Sequence, residues 1–351
     1  MIRVALICRG SAQIGLGHVM RCRTIAAAMS GLADVHVITL GDFEVCANLL
    51  RPLVPFTHAA SDSAALRITR RHGADTIVFD MLEFDPEVFK RIADQVTTVC
   101  LSPIFNLLDQ VDLAFSRAAS PTHQELMSRG RPVMRVGCQY TTISPHCRRV
   151  ETDVYCRGLE MEPLAVAIAM GGADAPNHTL RILEAIRHLD AGILSWVMLG
   201  EGYTHSYQRL IDCMRADHRH EIILAKTNNS MWRILSGCSV AILAGGITTF
   251  EAAYAGIPSI IALSHDRDRF LIHELIDTGA CTCAGAPFDR ALGNVASELA
   301  YLNAHRKELL AMHVRCKELL DNKGPQRVAR EIIEFQRSGV KAREAVQFAS
   351  A

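Results

Sequence analysis

Residues 240–258 have the sequence VAILAGGITTFEAAYAGIP, and this stretch decides the expected fold. Its apolar beginning predicts a buried strand, the two glycines predict a turn, and the following residues predict a helix that ends before the Gly-Ile-Pro segment. The next apolar run, 259–263, predicts another strand. A strand, a glycine turn, a helix and a second strand are the repeating unit of a parallel sheet covered by helices.

The glycine turn of this stretch predicts a site for an anion. Gly245 and Gly246 let the backbone approach a ligand, and the helix that follows presents free amides and the positive end of its dipole. Thr248 and Thr249 add hydroxyl groups, so a diphosphate is the expected ligand. Glu251 either caps Thr248 in a capping box or accepts hydrogen bonds from a ribose. A well-capped helix with no ligand is the alternative.

The composition predicts two globular domains and argues against several classes of protein. The chain has 351 residues, of which 49% are hydrophobic, with 37 basic and 37 acidic side chains. At roughly 150 residues per domain this length predicts two domains. The balanced charge predicts no binding to nucleic acid, and no apolar run reaches the roughly 18 residues of a membrane helix. The N-terminus lacks the pattern of a signal peptide, which favours a cytoplasmic protein.

The cysteines and histidines do not have the spacing of a metal site. The 12 cysteines include no Cys-x-x-Cys pair, and Cys281 with Cys283 has no second pair at zinc spacing. Most of the other cysteines lie in or beside apolar runs, where they are expected to be small buried hydrophobes. We therefore expect neither a metal nor a cofactor.

Strand-like runs alternate with helical patterns along the chain, which predicts an α/β fold of two doubly wound, Rossmann-like domains facing a cleft. The expected boundaries are an N-terminal domain over 1–147, a linker over 148–162, a C-terminal domain over 163–338 and a tail over 339–351. The expected strands are 2–8, 35–40, 76–80, 97–101, 164–170, 193–199, 221–224, 240–243 and 259–263. Ligands of such sheets bind outside the carboxyl ends of the strands, so the turns there are candidate sites.

The turn after the first strand, RGSAQIGLGHVMR over residues 9–21, is neither a Rossmann fingerprint nor a P-loop. Gly15 and Gly17 allow a close approach, and His18 begins a helix whose dipole disfavours an added proton. A neutral histidine there is able to take a proton from water or a hydroxyl, while the alternative is a histidine that caps the turn or packs between domains. Arg21 either pairs with a carboxylate or reaches the ligand.

Asp80 ends another predicted strand of the first domain, 76–80. Its carboxylate therefore lies at the edge where ligands bind. Three roles are open to it there: it orients His18, it binds sugar hydroxyls, or it caps the next turn. His18 and Asp80 are the candidate catalytic residues.

The second domain opens with a further strand, glycine turn and helix. Gly171 and Gly172 are suited to a phosphate or a sugar that approaches the backbone. Asp174 and Asn177, which follow them, are also favoured turn and N-cap residues. Ligand binding and local structure both account for the polar residues of this turn.

Three of these turns together resemble those of a known family. Residues 11–21, 170–177 and 244–251, with the Gly-Ile-Pro at 256–258, look like turns of the UDP-sugar hydrolases of the pseudaminic acid pathway and of their spore-coat polysaccharide relatives. The segment DNKGPQRV at 321–328 resembles the C-terminal segment of that family. The family is similar in fold to the glycosyltransferase-B enzymes, including the MurG type.

The resemblance implies a specific activity. Family members release UDP from UDP-2,4-diacetamido-2,4,6-trideoxy-β-L-altropyranose, a precursor of nonulosonic acids of surface glycans, by attack of water at the anomeric carbon with inversion. It implies that His18 is the catalytic residue, that the second domain holds the diphosphate at 245–249 and the ribose at Glu251, and that no metal is needed. The expected substrate-binding residues are Gly15, Gly17, Arg21, Gly171, Gly172, Asp174, Asn177, Gly245, Gly246, Thr248, Thr249 and Glu251.

The sequence departs from the family where the sugar is expected. Asp80 is followed by Met81 and Leu82 instead of the family's Asp-His or Asp-x-Tyr, and LSPI at 101–104 lacks the usual carboxylate pair. Two alternatives to a hydrolase therefore stay open. One is a metal-independent UDP-sugar glycosyltransferase in which His18 deprotonates an acceptor hydroxyl, and the other is a non-catalytic nucleotide-sugar-binding protein. The sequence does not indicate a protein partner.

Overall fold

The computed structural model describes residues 1–51, 53–227 and 231–339, and its contacts divide the chain into two compact units. The first unit contains Met1–Ser11, Leu16–Thr142 and the described residues from Lys323 onward. The second unit contains Ala12–Gly15 and Ile143–Asn322. Each unit is a parallel sheet with helices, as the alternation of apolar runs and helical patterns predicts.

The sheet of the first unit has seven strands in the order β3-β2-β1-β4-β5-β6-β7 within the described residues. The strands are β1 Arg3–Gly10, β2 Asp34–Gly41, β3 Phe56–His58, β4 Thr76–Asp80, β5 Thr97–Cys100, β6 Leu113–Ser116 and β7 Val133–Val136. The helices that alternate with them are α1 Gly17–Ala28, α2 Phe43–Leu50, α3 Asp62–His72, α4 Pro86–Lys90 and α5 Pro121–Ser128.

The sheet of the second unit has six strands in the order β10-β9-β8-β11-β12-β13, counted over the same described residues. The strands are β8 Leu164–Ala169, β9 Ile193–Leu199, β10 Glu221–Lys226, β11 Val240–Leu243, β12 Ser259–Ala262 and β13 Cys281–Gly285. The helices are α6 Thr152–Glu160, α7 His178–Ile186, α8 Tyr207–Ala216, α9 Met231–Leu235, α10 Ile247–Ala255, α11 His273–Asp277, α12 Phe288–Ala304 and α13 Arg306–Leu319.

The strand order of each unit reverses beside its first strand, and this determines which turns become neighbours. β1 lies between β2 and β4, and β8 lies between β9 and β11. The turns after β1 and β4 therefore share one edge of the first sheet, and the turns after β8 and β11 share one edge of the second. Ligands of open parallel sheets bind at such points. The candidate residues of each unit lie at these two reversals.

The last helix, α14 Gly324–Ser338, belongs to the first unit. Val328, Ala329, Ile332 and Ile333 are buried in a core that includes residues of α1 and β1. A helix with one apolar face must bury that face against another element, but its sequence does not say which sheet covers it. The structure therefore corrects the expected C-terminal domain, which extended to residue 338.

The other expected boundaries also differ from this division. The expected linker over 148–162 contains α6, which is part of the second unit. The expected tail over 339–351 lies outside the described residues, except for Gly339. None of the described helices is both long and apolar enough to cross a membrane.

Candidate functional site

The first candidate site joins the beginning of α1 to the end of β4. His18 is the second residue of α1, and its Nδ1 lies 2.7 Å from Oδ1 of Asp80. The side chain of Asp80 is fully buried, whereas the side chain of His18 is 14% exposed. Cys8 of β1 is the register partner of Asp80, so the helix that follows β1 begins next to the end of β4. The structure thus brings the two candidate catalytic residues together.

Arg21 completes this group through both oxygens of Asp80. Its Nε lies 2.6 Å from Oδ2, and its Nη2 contacts Oδ1. Burial alone would raise the pKa of Asp80, but the positive charge of Arg21 and the hydrogen bonds from Arg21 and His18 outweigh it, so the pKa of Asp80 lies below its usual value. Burial likewise opposes the charge of Arg21, and the Asp80 carboxylate more than compensates, so the pKa of Arg21 is raised. The pair is therefore ionised.

The ionised carboxylate determines which nitrogen of His18 carries a proton. An ionised carboxylate only accepts hydrogen bonds, so Nδ1 of His18 must donate to Asp80. In the neutral ring Nε2 is then the acceptor. Nη2 of Arg21 lies 3.1 Å from Nδ1, and since both carry protons this is a close approach between two donors. A neutral histidine held by a carboxylate in this way has a fixed tautomer and is able to act as a general base.

The glycines before His18 have different structural requirements. Gly15 has φ +85°, a conformation that favours glycine, whereas no such backbone constraint applies to Gly17. A Cβ on either residue would meet no atom within 4 Å. Leu16, the N-cap of α1, makes no side-chain hydrogen bond to the helix. Packing within the described residues therefore does not explain why residue 17 is a glycine.

The second candidate site is the turn between β11 and α10. Gly245 has φ +81°, and a Cβ there would overlap the side chain of Leu263. Gly246 has φ −76°, and a Cβ there would meet no atom within 4 Å. Gly246 is the N-cap of α10 and leaves the helix without a side-chain cap. The fold therefore requires glycine at 245, while position 246 faces open space at a helix N-terminus.

The polar residues of α10 differ from the sequence expectation in one respect. The helix begins at Ile247, so Thr248 is its second residue, and of the two roles left open for Glu251 the capping box with Thr248 is wrong. Glu251 is only 6% exposed, and its Oε1 accepts a hydrogen bond from the Ser144 amide at 2.9 Å. Thr249 is 1% exposed, and within the described part of the chain its hydroxyl has no hydrogen-bond partner.

The turn between β8 and α7 uses its polar residues to hold itself together. The carboxylate of Asp174 accepts hydrogen bonds from the amides of His178 and Thr179 at 2.8 and 2.9 Å, which caps α7. Burial outweighs these hydrogen bonds and raises the pKa of Asp174. Oδ1 of Asn177 accepts from the Tyr203 hydroxyl at 2.9 Å. Of the two roles that the sequence allowed for these side chains, the structure displays the structural one.

The glycines of this turn are arranged differently from each other. Gly171 is exposed, has φ +99°, and a Cβ there would meet no atom within 4 Å. The carbonyl of Gly172 accepts a hydrogen bond from the amide of Gly202 at 2.9 Å, and Gly200 packs directly against Gly172. Gly171 is thus the open position of the turn, and Gly172 connects it to the end of β9.

His178 is a residue of this region that the sequence did not single out. It begins α7, is 6% exposed, and stacks on Phe288 with 3.4 Å between the ring centroids. Its Nε2 lies 3.1 Å from the hydroxyl of Ser264, just after β12. Burial, followed by the charge of Arg181, lowers the pKa of His178 to about 4. In the sequence, the only feature that could have marked His178 as a candidate is its position directly after Asn177, the N-cap of α7.

The cysteines are distributed as their apolar neighbours predict. All twelve are free thiols, ten are buried and two are half-buried. Burial raises the pKa of Cys46 to about 12, as expected for a thiol that packs as a hydrophobe. Over the residues that the structure describes, no three His, Cys, Asp or Glu side chains are grouped so as to hold a metal ion.

Comparison with known proteins gives distant relatives and a clear fold. No family model matches the chain. The spore coat polysaccharide biosynthesis protein SpsG of Bacillus subtilis is 20% identical over 93% of this chain and 96% of its own length. An uncharacterised protein of Methanocaldococcus jannaschii is also 20% identical, over 76% of this chain. The chain spans 57% of the length of that second relative.

Solved structures resemble nearly the whole chain. The complex of S. aureus MnaA with UDP has a TM-score of 0.65 at 12% identity and covers 96% of this chain and 97% of its own. Spinosyn rhamnosyltransferase SpnG with thymidine diphosphate has a TM-score of 0.58 at 13% identity and covers 94% and 100%. At these identities the likeness shows the fold. The two parallel-sheet units thus have the glycosyltransferase-B-like fold that the resemblance of the turns implied.

Proposed function

We propose that this chain hydrolyses a UDP-sugar, releasing UDP from a modified amino sugar used for a surface polysaccharide. The observation that carries the proposal is the His18–Asp80 pair, whose Nδ1–Oδ1 distance is 2.7 Å. When the ring of His18 is neutral, this contact leaves Nε2 as the acceptor, which is what activation of water requires. The similarity to a spore coat polysaccharide biosynthesis protein and to a UDP-bound structure supports the substrate class.

The first unit supplies the base in this mechanism. Nε2 of His18 takes a proton from water while the water oxygen forms a bond to the anomeric carbon. The bond from that carbon to the β-phosphate oxygen breaks, and its electron pair leaves with UDP. The imidazolium that forms is stabilised by the Asp80 carboxylate, which its Nδ1 already contacts. Attack from the face opposite UDP inverts the anomeric configuration.

The second unit supplies the nucleotide site in this proposal. The open space at Gly246 leaves room for a phosphate at the start of α10, and the amides of that turn and the helix dipole favour an anion. The buried hydroxyl of Thr249 lies in the same turn, and no described residue satisfies it. Glu251, fixed by the Ser144 amide, is the proposed ribose ligand. Gly171 offers a second open backbone position at the neighbouring turn.

Transfer to an acceptor is the second candidate function. The same base would remove the proton of an acceptor hydroxyl instead of water, and a rhamnosyltransferase is among the solved structures with this fold. A non-catalytic nucleotide-sugar-binding protein is the third, because the sequence departs from the hydrolase family after Asp80 and at 101–104.

The experiment that tests the proposal follows the anomeric proton signal of candidate UDP-sugars by NMR over time. Hydrolysis gives free sugar of inverted configuration together with UDP in the absence of an acceptor. Release of UDP only when an acceptor is added would establish transfer instead. Binding without release by the wild-type protein would leave a nucleotide-sugar-binding function. The His18→Asn variant, in parallel, excludes contaminating hydrolases as the source of UDP.

A further inference from the structure

Arg21 was expected either to pair with a carboxylate or to reach the ligand, and its guanidinium is directed to a carboxylate of its own unit. Nε and Nη2 of Arg21 donate hydrogen bonds to the two oxygens of Asp80, and the side chain of Arg21 is 14% exposed. We propose that Arg21 is a positioning residue, which fixes the active tautomer of His18 by holding Asp80. The catalytic consequence rests on the proposed function, whereas the tautomer itself is a property of the ligand-free protein.

The geometry makes Arg21 the residue that decides how Asp80 meets His18. Oδ1 of Asp80 accepts from Nδ1 of His18 at 2.7 Å and from Nη2 of Arg21, while Oδ2 accepts from Nε of Arg21 at 2.6 Å. A planar guanidinium that holds both oxygens fixes the plane of the carboxylate. Rotation of the Asp80 carboxyl group is therefore blocked, and Oδ1 stays aligned with the imidazole N–H.

The surroundings of Asp80 explain why this support is needed. Besides His18 and Arg21, the titratable side chains that face it are the thiols of Cys22, whose Sγ is 4.0 Å from Oδ2, and Cys100 of β5. Burial raises the pKa of both thiols, so they are neutral at physiological pH. Among these described neighbours Arg21 is the permanently charged cation, because a guanidinium stays protonated in proteins.

Removal of Arg21 would change which group carries the proton. A fully buried carboxylate without a permanent positive partner tends to protonate, because burial disfavours its charge. A protonated Asp80 has an O–H group that donates to Nδ1 of His18, so Nδ1 would become the acceptor and Nε2 would carry the proton. That tautomer cannot take a proton from water at Nε2. Arg21 thus keeps Nε2 of His18 unprotonated, and it does so without contacting the substrate.

The test is ¹⁵N NMR of the histidines in ligand-free protein, combined with kcat and KM. In the wild type the signal of His18 should be that of the Nδ1–H tautomer. In Arg21→Gln it should move toward the Nε2–H tautomer, and kcat should fall about 10- to 100-fold, by analogy with the loss of a residue that orients a metal ligand. KM should stay nearly unchanged, because no substrate contact is removed.

Two further variants complete the test. If Arg21→Gln fails to fold, Arg21→Lys replaces it. The lysine charge keeps Asp80 ionised, but a single ammonium does not hold both carboxylate oxygens. The His18 tautomer should therefore be mainly retained, and kcat should fall less than in Arg21→Gln. Arg129→Gln breaks an exposed Arg–Glu pair elsewhere in the unit and should change nothing. In Arg21→Gln an unchanged His18 tautomer would overturn the proposal, and a raised KM in either Arg21 variant would overturn it and make Arg21 a substrate ligand. If the wild type releases no UDP, the proposed hydrolysis fails, while the tautomer measurement still decides the role of Arg21.

Discussion

Nδ1 of His18 donates a hydrogen bond to Oδ1 of Asp80 over 2.7 Å, although 62 residues separate the two in the chain. The contact exists because β1 and β4 are neighbours in the sheet, so that the helix after β1 begins beside the last residue of β4. It leaves Nε2 of a neutral His18 as the acceptor, which is the chemical basis of the proposed hydrolysis.

We expect His18→Asn to lower kcat by about 100-fold or more, as the loss of a general base does, because the amide has no counterpart of Nε2. Affinity for UDP should stay nearly unchanged, since the proposed nucleotide residues lie in the second unit. Turnover of UDP-sugar and calorimetric titration with UDP measure the two effects. Full activity would remove His18 from the mechanism, and a lower melting temperature with normal turnover per folded molecule would indicate a packing role.

We expect Gly246→Val to abolish UDP binding while the protein stays folded. The backbone of Gly246 suits any residue and a Cβ meets open space, so the added side chain occupies only the room proposed for a phosphate. A change from glycine to valine at an N-cap costs about 1 kcal/mol of stability. Calorimetry with UDP and a thermal melt measure both properties.

Gly245→Val is the matched contrast to this variant. Its positive φ and its overlap with Leu263 predict a clear loss of stability, independent of any ligand. Unchanged UDP affinity in Gly246→Val would show that the diphosphate binds elsewhere.

Stability should fall as the pH is lowered from about neutral toward 4, and His178 should contribute to this. Its pKa is about 4 in the folded protein, against an ordinary value of 6.5, because burial disfavours the charged ring. A group whose folded pKa is lower stabilises the fold above the unfolded pKa, and this contribution is lost as the pH falls from 6.5 toward 4. The free energy of unfolding, obtained from urea unfolding at several pH values, should depend less steeply on pH in His178→Phe than in the wild type. An equal dependence on pH would mean that folding does not lower the pKa of His178.

We expect turnover to survive excess EDTA. The leaving UDP accumulates negative charge that must be stabilised, and the N-terminus of α10 supplies roughly half a positive charge together with several amide donors. Thr248 and Thr249 add hydroxyls in the same turn. Turnover is measured with and without EDTA, and then with added magnesium or manganese. Loss of turnover on chelation and its recovery with either metal would contradict the proposed placement of the diphosphate and of Glu251.

The sequence by itself determined nine of the thirteen strands of the described residues, among them the fully buried β4 and β11. The expected strand over 76–80 is β4, and the expected strand over 240–243 is β11, because such strands are continuous apolar runs. Four strands were not expected: β3, β6, β7 and β13. β3 has three residues, and all four residues of β7 are only half-buried, so neither carries a strong apolar pattern.

The glycine turns were also predictable, because positive φ and close backbone approach are local requirements. Gly15, Gly171 and Gly245 have φ values of +85°, +99° and +81°. Local pattern likewise indicated Asp174 as a turn residue, and its carboxylate caps α7. The beginning of α10 was less predictable, because Gly246 and Thr248 are both accepted N-cap residues and lie only two positions apart.

Only the tertiary structure decided which partners the polar side chains found and which sheet the last helix covers. The sequence left three roles open for Asp80, and the strand order places its carboxylate beside His18 and Arg21. The apolar face of α14 fits any uncovered sheet, yet it packs in the first core. The physical reason is that periodicity and backbone preference are local, whereas pairing of a buried charge depends on residues that the strand order brings together from distant parts of the chain.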